Sequence, residues 1–475
     1  MFSKQKTINV FMLAMINVAA LVNIGNLSLS AKYGFSAIFF LIVSSLFFFI
    51  PVAMISAELA TGWPQRGGVY IWVKEALGDS LGFLAIWLQW IENVIWYPTA
   101  LSFAAVSFAY IFDPELAQNK TFIMTTIISV FWLATFLNFF GMKISGWISS
   151  ICALFGTILP SVVIITLAAI WLFLGKTSQI SFTLKDFFPS FNSFSQFALL
   201  SGILMSLSGL EMSAVHAKEV KNPTKNYPIS ILISAIIIIL VLSLGSLAIA
   251  IVIPSNDIEL PAGAIDAISR FLQAYNLPKL SSVVAFFLTI GSLGMITTWS
   301  IGPVKGMYAT AEHGDLPIFL QKLNKHQSPV HLLIVQAIIV TIITFVFLFT
   351  PTVSTAFWVL INLSAHLYQA MYILMFIAAI VLRYKKPNVK RAYKIPFGNY
   401  GIIFIGSIGI LGTAFSMLMG YFPPSQLQKY NVYFYEIFSI GGTILFCVIP
   451  FVIRHFRKPE WHLEHKKNMA KYDSN

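Results

Sequence analysis

Residues 231–253 read ILISAIIIILVLSLGSLAIAIVI, a run that holds no charged side chain. A helix of about 20 apolar residues crosses the ~30 Å hydrocarbon layer of a membrane. Because that layer offers no water, the backbone polar groups of such a segment must pair within it, as in a helix. The strands of a membrane barrel alternate apolar and polar residues, and this run does not. It therefore predicts a membrane-spanning α-helix.

The same pattern recurs along the whole chain. Of its 475 residues, 57% are apolar and only 10% are charged, too few charges for the surface of a soluble protein. The sequence predicts an all-α polytopic membrane protein with an even number of spans, so that both ends lie on one side. The twelve predicted spans cover 8–31, 35–60, 81–112, 121–141, 147–175, 195–216, 228–254, 280–304, 329–350, 353–383, 399–422 and 431–454.

The placement of Lys and Arg predicts the orientation. Of the 30 basic residues, 23 fall on the side that holds both termini, which indicates that this side is cytoplasmic. The same bias accounts for the net charge of +12 without a nucleic-acid partner. The apolar core of the first span is too long for a cleaved signal, so we expect it to be retained. Short loops favour a bacterial inner (plasma) membrane.

The predicted spans divide into two halves within one membrane domain, 1–475. The first five (8–175) and the second five (195–383) run in opposite directions, which predicts an inverted repeat. Two peripheral spans follow in 399–454, and 455–475 forms a cytoplasmic tail. The lipid bilayer is thus an expected partner of the chain.

The first and sixth spans are each interrupted by small and polar residues. The interruptions read Asn23-Ile24-Gly25-Asn26 and Ser206-Leu207-Ser208-Gly209. Matching breaks in two inverted halves indicate a substrate site at the membrane midplane. Backbone N–H groups freed at a break suit a carboxylate, and freed carbonyls suit an ammonium. The alternative role of such small residues is close packing between helices.

Several sequence motifs accompany the breaks. They read Ile50-Pro51-Val52, Ala57-Glu58-Leu59-Ala60-Thr61, Pro64 to Trp72, Glu219 to Pro223, Tyr227-Pro228, Trp299 to Pro303, Gly306-Met307-Tyr308 and Arg391 to Pro396. Over nearly its whole length the chain thereby resembles the amino acid/polyamine/organocation superfamily of transporters. Within that superfamily it is most similar to the glutamate/γ-aminobutyrate antiporter branch, on the Pro51 segment, Ser208-Gly209-Leu210-Glu211 and Trp299 to Tyr308.

The resemblance implies ten helices in a 5+5 inverted repeat, two peripheral helices and alternating access to a central amino-acid or amine site. It implies that Ile24, Gly25 and Asn26 hold a substrate carboxylate. Carbonyls near Asn23 and Ser206, in breaks that include Ser208 and Gly209, would hold the amine. We expect no cofactor and no metal site, and a monomer or homodimer. The side chains that the resemblance implies to line or gate the site are Glu211, Trp299, Tyr368 and Tyr372.

The chain departs from this branch at several places. Met295 stands where the branch has a Glu, and Thr157 stands where many family members have a Lys that replaces a sodium ion. Glu92 stands where a neutral residue is expected. Only 21 residues follow Arg454, whereas the branch has a long C-terminal plug. The substrate therefore stays open at this point.

Two intramembrane carboxylates each admit two roles. Glu211 either binds substrate or couples protons, or it hydrogen-bonds loosened backbone. Glu92 either pairs with a cation of the substrate, or is a protonated carboxyl bonded to a neighbouring helix. A carboxylate at mid-membrane costs about 2.5–3.5 kcal/mol, so each needs such a role.

Aromatic and polar residues on the eighth and tenth spans also have alternatives. Trp299 shapes the site or packs, while Thr297 and Thr298 complete a sodium site or bond their own helix. His366 shares a helix face with Asn362. It either gates transport by changing its protonation state or donates a hydrogen bond to a neighbouring helix. Tyr368 shares a face with Tyr372, and the two tyrosines line the site or pack.

Outside the site the predictions are structural. Glu58, Arg66 and the Gly67-Gly68 turn are expected to stabilise a cytoplasmic loop. Cys152 and Cys447 are read as buried small hydrophobes. His462 and His465 lie on a charged tail. We expect this tail to be solvated and to interact electrostatically with the lipid surface rather than to bind metal.

The function predicted is exchange of an amino acid, glutamate- or γ-aminobutyrate-like, for a related amino acid or amine. The alternative is a proton- or sodium-coupled symporter. A membrane-embedded enzyme is remote, because the sequence has no His-Glu-x-x-His and no Gly-x-Ser-x-Gly motif. A channel is equally remote, because the sequence shows no repeated filter.

Overall fold

The computed structural model describes residues 9–64, 67–140, 154–189, 197–212, 220–423 and 432–462, and its regular structure is helical. Ten helices in these ranges are long and apolar enough to cross a membrane, which confirms an all-α multi-pass protein. They span Gly34–Gly62, Asp79–Phe112, Lys120–Asn138, Phe155–Phe173, Ile229–Val252, Leu280–Ala309, Val330–Phe349, Val353–Lys385, Gly398–Gly420 and Tyr433–His455.

The α-helices are numbered here in chain order. They are α1 (Val10–Leu21), α2 (Leu27–Ala31), α3 (Ala37–Ser44), α4 (Ile50–Gly62), α5 (Val69–Leu77), α6 (Asp79–Phe112), α7 (Lys120–Asn138), α8 (Leu159–Phe173), α9 (Leu184–Phe187), α10 (Leu200–Ser206), α11 (Pro223–Val252), α12 (Gly263–Ala274), α13 (Leu280–Ala309), α14 (Val330–Thr344), α15 (Val346–Phe349), α16 (Val353–Lys385), α17 (Gly398–Gly420), α18 (Val432–Glu436) and α19 (Gly442–His455). Short π-helical turns join α3 to α4, precede α8 and join α18 to α19.

Side-chain caps begin several of these helices. Asn9, Asn119 and Thr352 each accept a hydrogen bond from a backbone N–H in the first turn of α1, α7 and α16. Such a cap satisfies one of the N–H groups that a helix start leaves without a partner, and it contributes about 1 kcal/mol. These residues place the helix starts within one or two positions of the predicted spans.

Two amphipathic helices were not predicted from the sequence. They are α5 and α12, which lie between longer spans. α12 buries Ile265, Ile268 and Phe271 along one face while Arg270 is exposed. A search for runs of 20 apolar residues overlooks a helix that is short and apolar on one side only.

The core of the molecule lies around α6, which packs mainly against α13 and α16. Within the apolar window of α6, 83% of the residues are buried, against 28% for Phe155–Phe173 and 17% for Tyr433–His455. α6 is therefore central, and the latter two helices are peripheral.

The outer helices carry large apolar side chains on their exposed faces. Phe173, Phe404 and Ile437 are 91%, 65% and 71% exposed. Apolar exposure on this scale fits a lipid environment and not water. Cys447, expected to be buried, is only half-buried because it lies on the peripheral helix α19, and Cys152 lies outside the described residues.

Candidate functional site

The first helix is interrupted where the sequence predicted. α1 ends at Leu21, Val22 and Asn23 adopt extended backbone, and a 3-10 turn over Ile24–Asn26 leads into α2. The Asn23 side chain accepts the Gly25 N–H at 2.9 Å, which holds the turn. A Cβ on Gly25 would lie 3.0 Å from the Phe103 ring, so glycine lets α6 approach the break.

The second interruption follows α10. Helical geometry ends at Ser206, and Gly209 adopts φ +113°, a conformation that side-chain-bearing residues rarely take. The Gly209 N–H donates to the Tyr372 hydroxyl at 2.8 Å. A Cβ on Gly209 would lie 2.9 Å from the Trp299 ring. This position therefore requires glycine for its backbone angle and for its space.

The two interruptions line one cavity of about 30 Å³, roughly the volume of one water molecule. An amino acid is larger, so the lining must move apart to admit one. The cavity is lined by Leu21, Asn23, Asn26, Glu92, Asn93, Trp96, Met205, Ser208, Met295, Trp299 and Tyr368.

Seven of the residues singled out from the sequence therefore meet in this lining, namely Asn23, Asn26, Glu92, Ser208, Met295, Trp299 and Tyr368. Others lie beside it, as buried parts of the same breaks or of their supports. These are Ile24, Gly25, Ser206, Gly209, Glu211 and Tyr372.

The Glu211 carboxylate lies behind this lining and fastens the second break to two other helices. It accepts hydrogen bonds from the Tyr368 hydroxyl (2.5 Å), the Tyr372 hydroxyl (2.5 Å) and Gln89 Nε2 (3.0 Å). Tyr372 also receives the Gly209 N–H, so one hydroxyl bridges the break to the carboxylate. The network joins the segment after α10 to α6 and α16.

Glu92 lies on α6 and is one of the residues that line the cavity. Its side chain is 1% exposed. Oε2 accepts the Ser364 hydroxyl at 3.1 Å, and Oε1 accepts the Asn93 side-chain amide. Both donors are neutral.

Aromatic rings form one wall of the cavity. The rings of Trp96 and Trp299 have centroids 6.0 Å apart and planes inclined at 65°. The Tyr97 hydroxyl donates to the Trp299 carbonyl at 2.9 Å, which fixes α13 against α6. Trp299 is only half-buried and is itself part of the lining.

His366 lies on a different face of α16, between that helix and α17. Its Nε2 lies 3.0 Å from the Met417 carbonyl, and its ring stacks on Tyr421 with centroids 4.1 Å apart. Asn362, one turn earlier, donates to the Gly420 carbonyl at 3.0 Å. The shared face predicted for these two residues exists, but it meets α17 and not the cavity.

Met295 and Thr157, which differ from the residues of the related branch, lie in different parts of the structure. Met295 presents a neutral thioether to the cavity. Thr157 lies in the π-helical turn before α8, where its carbonyl accepts the Ser161 hydroxyl at 2.8 Å. The Thr297 hydroxyl bonds back to Leu293 of its own helix at 2.7 Å. That bond fits the helix-bonding alternative given above for Thr297.

Four lining residues were not predicted, namely Leu21, Asn93, Trp96 and Met205. Trp96 was accessible to sequence reasoning, because it follows Glu92 by four residues and so shares its helix face. Leu21 and Met205 are apolar residues beside the breaks, and no sequence signal separates them from their neighbours.

Glu58 has other partners than the one expected. Its carboxylate pairs with Arg383 at 2.5 Å and Arg391 at 3.4 Å, and it accepts the Ile395 N–H at 2.8 Å. Arg66 lies outside the described residues. Glu58 thus ties the end of α4 to the end of α16 and the segment after it, a contact too distant in sequence to predict.

The tail expected to be solvated is exposed over residues 455–460, and it also contacts distant parts of the chain. Arg457 pairs with Asp315 at 3.3 Å, and the Trp461 carbonyl accepts Gln321 Nε2 at 2.9 Å. His462 is half-buried against Gly314, while His465 lies outside the described residues. A cavity of about 660 Å³ opens there, lined by Lys74, Asp79, His313, Asp315, Arg457, Pro459 and His462.

A multi-pass helical protein whose two interrupted helices line one cavity has the architecture of a secondary transporter. Residues 6–446 match the family model described as amino acid permease, and the chain belongs to that family. This confirms the resemblance found in the sequence and makes the protein a transporter and not an enzyme.

Similar proteins support the assignment. An uncharacterized transporter of Legionella pneumophila is 46% identical over 448 residues, 94% of this chain and 96% of that protein. A glutamate/gamma-aminobutyrate antiporter of Lactococcus lactis is 30% identical over 96% of this chain and 92% of its own length. A probable agmatine/putrescine antiporter of the same species is 24% identical over 89% and 90%.

Proposed function

We propose that the protein is an antiporter that exchanges an amino acid for a related amino acid or amine by alternating access. The observation that carries this is that both helix interruptions, through Asn23, Asn26 and Ser208, line the same cavity. Related proteins named as antiporters support the exchange mode. A proton- or sodium-coupled symporter is the competing mechanism.

In this proposal the breaks bind the backbone end of the substrate. N–H groups of the turn over Ile24, Gly25 and Asn26 receive the carboxylate, and carbonyls near Asn23 and Ser206 receive the amine. The Gly25 and Asn26 N–H groups bond only to Asn23 within the short turn, and a zwitterion would exchange these local bonds for bonds to its own charged groups. Glu211 holds the second break in position, and Trp299 and Tyr368 close over the ligand.

We extend the proposal to the membrane topology. α1 with α2, and α10 with the turn after it, would complete twelve spans as the first and sixth helices. The two sets of five (8–175 and 195–383) would form the inverted repeat, with 399–454 peripheral. The bias of Lys and Arg favours a bacterial inner membrane with both termini cytoplasmic.

The test is counterflow in proteoliposomes. Vesicles are loaded with unlabelled glutamate, glutamine, γ-aminobutyrate, arginine, lysine or agmatine, and uptake of the labelled compounds is followed. Exchange predicts rapid uptake only when the vesicles contain a substrate. Uptake into empty vesicles that requires an imposed proton or sodium gradient would instead establish a symporter.

A glycine variant connects the transport to the break. Gly209→Ala places a Cβ 2.9 Å from Trp299 at φ +113°, strain of about 1–3 kcal/mol, so we expect counterflow to fall at least about tenfold. The matched control is Gly441→Ala, because a Cβ there has no described neighbour within 4 Å. Equal transport by the two variants, at equal yield of monodisperse protein, would contradict a role for the second break.

A further inference from the structure

We propose that the substrate carries a cationic group, an ammonium or guanidinium, on its side chain, and that Glu92 selects it. This inference rests on the proposed exchange function and concerns the same cavity. It starts from the position of Glu92 on α6, which is neither of the interrupted helices. A lining residue on this helix is placed to meet a part of the ligand other than the groups held by the breaks.

The hydrogen bonds of Glu92 come from neutral groups. Ser364 and Asn93 supply its donors. Within the described part of the chain, none of the ion pairs includes Glu92 or Glu211. α6 itself contains no Lys and no Arg. A buried carboxyl group with only neutral partners either holds a proton or pairs with a cation, and a cationic ligand stabilises the ionised form by supplying the opposite charge.

The other residues that line the cavity also favour a cationic ligand. The described residues of the lining include no Lys, Arg or His, and Glu92 is the acid among them. A second carboxylate, Glu211, lies one hydrogen bond behind the Tyr368 hydroxyl. A substrate whose side chain is a carboxylate would face two acids with no described base, and like charges at an interface reject a ligand.

The aromatic wall also favours a cation. Trp96 follows Glu92 by one helical turn and meets Trp299 in the same lining. A guanidinium or ammonium over an indole face is attracted by the ring, most strongly where water is excluded. Glu92 and these two rings thus form one subsite, in which the cationic group of the substrate meets both a carboxyl group and an aromatic surface.

The experiment compares ligands of similar length and different charge. Homoexchange of labelled arginine, lysine, glutamine and glutamate is measured with the wild-type protein in proteoliposomes. We expect exchange of arginine or lysine to exceed that of glutamate by at least about tenfold. Glutamate exchange equal to or faster than that of both cations would overturn the inference.

A substitution assigns the preference to Glu92. Glu92→Gln keeps the shape and removes the charge, so the ratio of arginine or lysine exchange to glutamine exchange should fall at least about tenfold. Glu115→Gln, which removes an exposed carboxylate on the loop after α6, is the matched control and should keep the wild-type ratio. An unchanged ratio in Glu92→Gln would contradict the assignment.

Binding measurements separate this inference from the exchange proposal. Calorimetric titration of purified wild-type protein with arginine, lysine and glutamate reports charge preference whether or not exchange occurs. Tighter binding of a cation together with absent counterflow would refute the antiporter and retain the subsite. Counterflow with tighter binding of glutamate would retain the antiporter and refute the subsite. If Glu92→Gln is not monodisperse, Glu92→Asp replaces it, with preserved cation preference expected.

Discussion

At the scale of single residues, the Tyr372 hydroxyl makes two hydrogen bonds beside the cavity. It accepts the Gly209 N–H and donates to Glu211, whereas the Tyr368 hydroxyl makes only the bond to Glu211 among those described. Tyr372→Phe therefore leaves the buried Gly209 N–H without this acceptor and removes one donor from the Glu211 carboxylate. Unsatisfied groups of this kind cost about 1–3 kcal/mol each, more when charged.

We expect Tyr372→Phe to lower the thermal unfolding midpoint in detergent, and to lower it more than Tyr368→Phe does. Counterflow should follow the same order, since the break loses its support. Tyr433→Phe, at a tyrosine 76% exposed, serves as the control and should be close to wild type. A larger effect for Tyr368→Phe than for Tyr372→Phe would contradict the bridging role.

At the scale of helices, Glu58 joins α4, α16 and the segment up to Ile395. Arg383 and Arg391 are 8% and 1% exposed at their side chains, so both guanidinium groups of this cluster are buried. Burial lowers the pKa of Arg391, and the nearby Glu58 carboxylate opposes that change. The cluster therefore depends on its one carboxylate.

Glu58→Gln should destabilise the protein by about 3–5 kcal/mol, because two buried cations lose their counter-charge. Glu75→Gln is the matched comparison, since its partner Lys386 is 37% exposed and a surface pair contributes about 0–1 kcal/mol. Thermal unfolding of both variants in the same detergent checks the difference. Equal midpoints would show that the buried cluster contributes no more than the surface pair.

Helices were also the level at which sequence reasoning succeeded. The apolar runs predicted the membrane helices, and the small and polar residues around Gly25 and Gly209 predicted both interruptions. Both signals are local, because they depend only on neighbouring residues in the sequence. The partners of Glu58 and Glu211 lie far away in sequence, so no local pattern indicated them. His366 was placed on the correct helix face, but the orientation of that face depends on α17.

At the scale of the whole molecule, the segment after α19 is held against distant parts of the chain. Asp315, in the loop after α13, accepts the Tyr70 hydroxyl of α5 at 3.2 Å and pairs with Arg457. Burial raises the pKa of the Asp315 carboxyl above its ordinary value of 3.8, although Arg454 and Arg457 act to lower it. Three regions of sequence thus meet at one acid that is more easily protonated than usual.

The pH dependence of stability should reveal this acid. A carboxyl whose pKa is raised by folding stabilises the folded state below about pH 4, and that contribution is lost as the pH rises through the raised pKa. Asp315→Asn should therefore match wild type most closely in acid and gain relative stability as the pH increases. Arg457→Gln removes a group that lowers the pKa of Asp315, so its stability should fall over a wider pH range than that of wild type. Thermal unfolding midpoints from pH 4 to pH 8 measure both. If the midpoint of the wild type instead rises relative to that of Asp315→Asn as the pH increases, the ion pair with Arg457 outweighs the burial of the carboxyl.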